Sequence, residues 1–334
     1  MNDVITLAHG SGGRKTSDLI SEIFKTNLGN SFFTADDAAV LPRPEGRIAM
    51  STDGFIVSPW KYPGGNIGRL SVCGTVNDLA CMGARPLYLT CSYIIEEGFP
   101  IADLELIAKT MGETAREAGV YIVAGDTKVA GKGQVDKIFI TTAGVGVIGE
   151  GINTSGKFAK PGDKIIVTGD IGRHGTAILL ARDEYGIEAE VDSDCAPLWE
   201  PVRKVLEVCP EMHVIRDATR GGVGTVLYEI ADESGVGIKV DRNSVPVAPE
   251  VGGVTGLLGL EPLYLACEGR MVMICPADKA SQEVDVLKET KYTEGAAIIG
   301  EVTGEEPGRV VMTTEVGGQT YLPKPGNEFL PRIC

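Results

Sequence analysis

A chain of 334 residues is longer than one simple core needs, and its length predicts two domains of ordinary size. Hydrophobic residues make up 43% of it, which excludes a disordered chain, and a formal net charge of -15 excludes nucleic acid as the main partner. No apolar run approaches the roughly 20 residues that span a bilayer, and Met1-Asn2-Asp3-Val4 lacks the basic and apolar regions of a signal peptide, so a cytoplasmic protein with no membrane partner is expected.

Gly-rich punctuation between short β-branched runs and longer amphipathic ones predicts mixed α/β structure. The first motif in chain order is His9-Gly10-Ser11-Gly12-Gly13-Arg14-Lys15-Thr16. It is not a Walker A loop, because Lys15 stands where the second glycine belongs. A glycine loop entering a helix over 14–24 can serve as a turn, or can cradle phosphate through its N–H groups. Strands are predicted over 47–52, 120–124 and 137–147, and helices over 69–82 and 101–118. The last of these helices follows Pro100 and carries Leu104, Ile107, Ala108, Met111 and Ala115 at helical spacing.

Acidic residues recur at the ends of these elements: Asp36 and Asp37, Asp53 after Ser51-Thr52, Asp78 after Asn77, and Asp126 before Thr127-Lys128. Each alone serves equally as a cap or a solvated charge. Magnesium bound with a nucleotide needs one or two carboxylates together with phosphate oxygens, so a convergent set would suit that ion.

The polar stretch 149–162 marks a domain boundary. Beyond it, strands are predicted over 164–168, 270–275 and 297–302, and helices over 175–184, 197–208 and 222–234. Arg216-Asp217-Ala218-Thr219-Arg220-Gly221-Gly222 is a second glycine turn into a helix. Glu268 sits at the edge of an apolar strand, where it is either an exposed turn residue or a carboxylate of raised pKa fit to act as a base.

None of the eight cysteines forms a C-x-x-C pair, and Cys73, Cys81, Cys91, Cys267 and Cys275 read as small buried hydrophobes. Cys334 differs, standing last in a stretch broken by Pro323, Pro325 and Pro331. At about 3.1 Å per residue such an extended, mobile arm reaches on the order of 40 Å, enough to carry a thiol between a pocket and the outside. A thiol so placed can act as a covalent carrier.

Taken together, His9-Gly10-Ser11-Gly12-Gly13, Ser51-Thr52-Asp53, Gly64-Gly65-Asn66-Ile67-Gly68, Gly74-Thr75-Val76-Asn77-Asp78-Leu79-Ala80, Gly125-Asp126-Thr127-Lys128-Val129, Arg216 to Gly222 and Pro331-Arg332-Ile333-Cys334 resemble the HypE family. These are the carbamoyl dehydratases of [NiFe]-hydrogenase maturation, in the PurM-like superfamily of aminoimidazole ribonucleotide synthetase. The resemblance runs through the whole chain in order. It implies a two-domain α/β (α+β) PurM-like fold, with the N-terminal mixed sheets of a homodimer pairing into a barrel. The domains would be 1–150 for ATP binding and dimerisation, 151–305 as the C-terminal α/β domain, and 306–334 as the extended segment ending in Cys334.

The resemblance further implies ATP and Mg2+ as cofactors. Asp53, Asp78 and Asp126 would hold Mg-ATP, with Asp36 or Asp37 as further metal ligands. His9, Gly10, Ser11, Gly12, Gly13, Asn77 and Thr127 carry over as further ATP-binding residues, while Glu268 and Lys128 would move protons or orient the substrate on Cys334. A HypF-type carbamoyltransferase would load the thiol. ATP would drive dehydration of the thiocarboxamide to a thiocyanate, and a HypC–HypD complex would take the cyanide. Other superfamily chemistries fit less well: a selenophosphate synthetase needs a nucleophile in the glycine loop, yet the first cysteine is Cys73, and a thiamine-monophosphate kinase needs no Cys334. A non-enzymatic maturation scaffold would bind no Mg-ATP.

Overall fold

The structure is a computed structural model that describes residues 4–34, 36–314 and 316–324. After a 3-10 turn at Leu7–His9, α1 (Arg14–Leu19) continues through a π-helical turn, Ile20–Phe24, into α2 (Lys25–Leu28). The N-terminal half then runs β1 (Arg47–Phe55), the small hairpin β2 (Lys61–Tyr62) and β3 (Gly65–Asn66), α3 (Ile67–Cys81), β4 (Ala84–Glu96), α4 (Ile101–Ala118), β5 (Tyr121–Ala130) and β6 (Ile138–Ile148). Its four-stranded sheet has the order β1-β6-β4-β5 and is antiparallel except for β4 and β5, which α4 joins as a parallel crossover.

α4 has the predicted bounds because its stop signals are local. Pro100 precedes it, and Gly119 closes it in the left-handed conformation at φ 71°. The five residues of its apolar stripe are all buried. α3 starts two residues before its expected position, because Asn66 caps it by accepting from Gly68 N (2.8 Å) and Arg69 N (3.2 Å). Every residue of α3 is buried except Arg69 and Asp78. A helix apolar all round must be covered all round. α3 lies between the first sheet with α4 and the C-terminal half, touching β8 and α6 there. A β-carbon on Gly68 would come within 2.4 Å of the Ile107 carbonyl, so only glycine lets α3 approach α4 this closely.

The C-terminal half comprises β7 (Lys164–Val167), α5 (Arg173–Arg182), α6 (Trp199–Val208), β8 (Val214–Asp217), α7 (Gly222–Ser234), β9 (Gly237–Asp241), α8 (Pro249–Leu258), β10 (Met271–Cys275), α9 (Ala280–Lys288), β11 (Ala297–Thr303), β12 (Val310–Thr313) and β13 (Gln319–Tyr321). Its seven-stranded sheet has the order β13-β12-β9-β11-β7-β10-β8, with only β9 and β12 parallel. Val272 and Ile274 of β10 join one core with α7, while Met271, Met273 and Cys275 join another with α6 and α9. Burial on both faces explains the unbroken apolar run of that strand.

Three features depart from the sequence reading. β4, β8, β9, β12, β13, α8 and α9 were not foreseen. Residues 310–321 fall in the stretch expected to be extended, yet β12 adds to the sheet beside β9 and carries β13. The chain beyond β13 is still held: Leu322 is buried, Tyr228 donates to its carbonyl, and Lys324 pairs with Asp232 at 3.0 Å. The connection over 149–162 is also packed, for Thr154 is buried and donates to the Cys81 carbonyl at 2.8 Å. The expectation for the arm over 325–334, including Cys334, lies outside the described residues.

The two halves are tied by Glu117 of α4, which accepts from Arg69 (2.8 Å), Lys291 (2.9 Å) and the Tyr292 hydroxyl. Burial alone would raise this carboxyl, but the three donors outweigh it and hold it at about 2, against an ordinary 4.5. A depressed pKa means that ionised Glu117 favours the fold above pH 4.5, a contribution lost as pH falls toward 2. Glu117→Gln is therefore expected to lower the urea midpoint at pH 7, with the gap to the parent narrowing progressively below pH 4.5 in parallel denaturation series.

Candidate active site

A cleft of about 1030 Å³ opens between the halves, walled by β1, the Asp78 side of α3, the end of β8, the loop into α7, and Glu268. Asp53 enters from β1 and accepts from Gly54 N at 2.8 Å. Asp78 enters from α3 and accepts from the Ser51 hydroxyl at 2.5 Å. Burial raises the pKa of both carboxyls, and the charge of Asp53 raises Asp78 further. Asp217, at the end of β8, is pushed up to about 6 by burial and by Asp78.

Glu268 is buried at the back of the cleft. Its carboxyl is held well above the ordinary range by desolvation, then by Cys195, Asp217, Asp194 and Asp53. With Glu229 and Glu233, six carboxyls thus line one opening. Two arginines face them, yet Arg216 is already paired with Glu229 (2.5 Å) and Glu233 (3.7 Å). Arg220 makes no ion pair among the described residues, and its charge draws Asp53 and Asp78 downward. The loop that presents it turns through Gly221 (φ 73°) and Gly222 (φ 61°). At Gly222 a β-carbon would meet two carbonyl oxygens at 2.5 Å. Ser51, Arg216, Asp217 and Arg220 were not assigned to the site from sequence, although each lies within a motif that was singled out.

Not all the expected aspartates reach this cleft. Asp36, Asp37, Asp126 and Thr127 line a separate groove of about 540 Å³, which Thr16 and Phe24 also border. Asp126 is paired with Lys128 at 2.8 Å and accepts from Thr127 N at 2.8 Å, and Lys128 holds its carboxyl low. β1 and β5 are opposite edges of the sheet, three strand spacings or about 14 Å apart. Within one chain, then, Lys128 and Glu268 belong to different openings.

Other expected residues also lie away from this cleft. His9 is buried, with its ring Nδ1 against Thr6 N (2.9 Å) and the Thr6 hydroxyl (3.0 Å), so it closes its own turn. Gly10 packs on Val129 of β5, while Ser11, Gly12 and Gly13 are exposed beside it. Asn77 points away from the cleft, and both ends of its amide are taken up by main-chain groups of the C-terminal half.

Among the described residues no three or more His, Cys, Asp and Glu side chains form a ready metal cage. The paired carboxylates of Asp53 and Asp78 nevertheless suit magnesium that arrives with phosphate oxygens and water. Such a crowded acidic cleft can take up a polyanion when a divalent cation comes with it.

Residues 35–148 match the family model of the AIR synthase related protein N-terminal domain, and residues 160–313 that of its C-terminal domain. The chain is 45% identical to carbamoyl dehydratase HypE of Azotobacter vinelandii over 334 residues, covering 100% of this chain and 98% of that protein. It superimposes on a crystal structure of hydrogenase maturation protein HypE in complex with ATP at a TM-score of 0.94 and 44% identity, covering 98% of this chain and 99% of that one. A crystal structure of a HypE–HypF complex aligns at a TM-score of 0.82 and 46% identity, over 92% of this chain and 99% of the other. The chain belongs to the HypE family of carbamoyl dehydratases, within the AIR synthase related proteins.

Proposed function

We propose that this chain is an ATP-dependent carbamoyl dehydratase that converts a thiocarboxamide carried on Cys334 into a thiocyanate, supplying cyanide for [NiFe]-hydrogenase assembly. The observation that carries the reading is the acidic cleft of Asp53, Asp78 and Glu268, in a chain alike over its full length to a HypE seen with ATP. The thiocarboxamide oxygen attacks the γ-phosphorus of ATP, and ADP leaves. The C–O bond then breaks with phosphate as leaving group, while the nitrogen gives up both protons and the C≡N bond forms. The products are thiocyanate, ADP, hydrogen phosphate and one proton.

Glu268 is the group suited to take a proton from nitrogen, because a carboxylate that burial disfavours is a strong acceptor once ionised. Asp53 and Asp78 would hold magnesium, which neutralises phosphate charge. A water-poor pocket protects the thiocyanate from hydrolysis.

A homodimer completes the reading. The sheet face away from α3 and α4 is open apart from Phe32, which packs edge-on against Tyr88 and Tyr121, and it carries exposed Ile48, Met50 and Ile94 beside half-buried Val145 and Val147. Closing two such faces into a barrel would bury them and occupy the free edges β1 and β5. It would also bring Asp36, Asp37, Asp126 and Lys128 of one copy toward Asp53, Asp78 and Glu268 of the other. Residues 1–150 thus serve ATP binding and dimerisation, 151–305 close the cleft, and the segment after β13 carries Cys334. A HypF-type transferase loads the thiol, a reading supported by the solved HypE–HypF assembly, and a HypC–HypD complex receives the cyanide. No helix among the described residues is long and apolar enough to cross a membrane, which fits a cytoplasmic place of work.

With a HypF-type partner, carbamoyl phosphate and ATP, mass spectrometry should show Cys334 gain a carbamoyl group and then lose one water. Cys334→Ala should abolish both changes, whereas Glu268→Gln should stall at the thiocarboxamide with ATP still bound. Thiocyanate formed by the alanine variant would refute the carrier role. Asp78→Asn should weaken Mg-ATP binding by about 10- to 100-fold in calorimetry, the scale of a hydrogen bond to a charged group. Unchanged affinity would remove Asp78 from the nucleotide site.

A further inference from the structure

Asn77 and Asp78 are neighbours on α3, yet they face opposite ways. Asp78 opens into the cleft, whereas Asn77 is buried and reaches the C-terminal half. Asn77 Nδ2 donates to the carbonyls of Ala196 (3.0 Å) and Glu268 (3.4 Å), and its Oδ1 accepts from Leu198 N (2.8 Å). The other end of the Glu268 peptide is held as well, since its N–H donates to Asp194 Oδ1 at 3.1 Å. Asp194 is itself fully enclosed, with Arg270 at 3.9 Å. The two loops are pressed so closely that a β-carbon on Gly269 would lie 1.8 Å from the Asp194 carbonyl oxygen. The backbone of Glu268 is thereby fastened on both sides, and one fastening comes from the residue next to Asp78.

We infer that Asn77 is a positioning residue for the dehydration, setting the Glu268 carboxyl at a fixed distance from the Asp78 nucleotide site. It touches neither ATP nor the thiocarboxamide and acts through the Glu268 main chain. The inference rests on the proposed role of Glu268. Without this fastening the loop that carries Glu268 could shift locally against α3, and a misplacement of about 1 Å can cost on the order of 100-fold in rate.

The test is single-turnover dehydration of the full chain, carbamoylated beforehand, followed by mass spectrometry beside ATP calorimetry. Asn77→Asp keeps an acceptor for Leu198 N and loses both donations. Its dehydration rate should fall about 10- to 100-fold while ATP affinity stays within about twofold. Asn77→Ser, which leaves room for a bridging water, should fall less. Glu117→Gln also loosens the two halves, but it does not touch Glu268 and should leave the rate unchanged.

A parental rate in Asn77→Asp would overturn the inference, as would equal loss of rate and ATP affinity, or equal slowing by Glu117→Gln. Failure of both Asn77 variants to fold would overturn it too, making the residue purely structural. Glu268→Gln separates the two levels. If it dehydrates normally, the proposed role of Glu268 is at fault; if it stalls while Asn77→Asp does not, the positioning role is.

Discussion

α3 is buried along its length except at Arg69 and Asp78, and the rest of the molecule is arranged around that enclosure. One side faces the first sheet and α4, the other faces β8 and α6 of the C-terminal half. Ala80 and Cys81 near its end belong to the same apolar core as Leu198, Val202 and Met271. A helix in that position can carry charge only where packing leaves an opening. It has two such places: Arg69, drawn into the ties around Glu117, and Asp78, open to the cleft. The covering that holds the halves together therefore also decides where an acidic group can meet a ligand.

The cleft is electrostatically unfinished. Burial raises Asp53, Asp78, Asp217 and Glu268, and neighbouring carboxyls raise the last three further, while Arg216 is committed to two glutamates. Carboxylates crowded into one pocket resist ionising together. Uptake of a triphosphate with its divalent cation would relieve that repulsion, so binding and activation of the base become linked. The overall charge of -15 describes the molecule as a whole and says little about this pocket, where local geometry governs.

Local signals made α4 legible from sequence, because Pro100, Gly119 and an apolar stripe mark its ends and its face. β4 was not legible, since Arg85 and Pro86 near its start break the strand pattern and only pairing with β5 and β6 holds it extended. β12 looked like loose chain for the same reason, its parallel partner β9 lying far back in the sequence, and β13 is a strand only because it pairs with β12. At the site, residue type pointed to carboxylates but not to which of them share an opening. Asp126 and Asp53 look equivalent in sequence, yet the strand order puts them on opposite edges of one sheet. Asn77 sat beside Asp78 in one motif, and helical geometry sends adjacent residues to different faces. Only the fold shows that the asparagine serves the C-terminal loops.

In the proposed reaction, the cleft between the halves is where phosphoryl transfer meets the base. The position of the ATP γ-phosphate in a Mg-ATP complex of the full chain tests it most directly. The phosphate is predicted beside Asp53 and Asp78, on the side of the cleft that faces Glu268. A triphosphate held wholly in the groove of Asp36 and Asp126, out of reach of both Asp78 and Glu268, would contradict it.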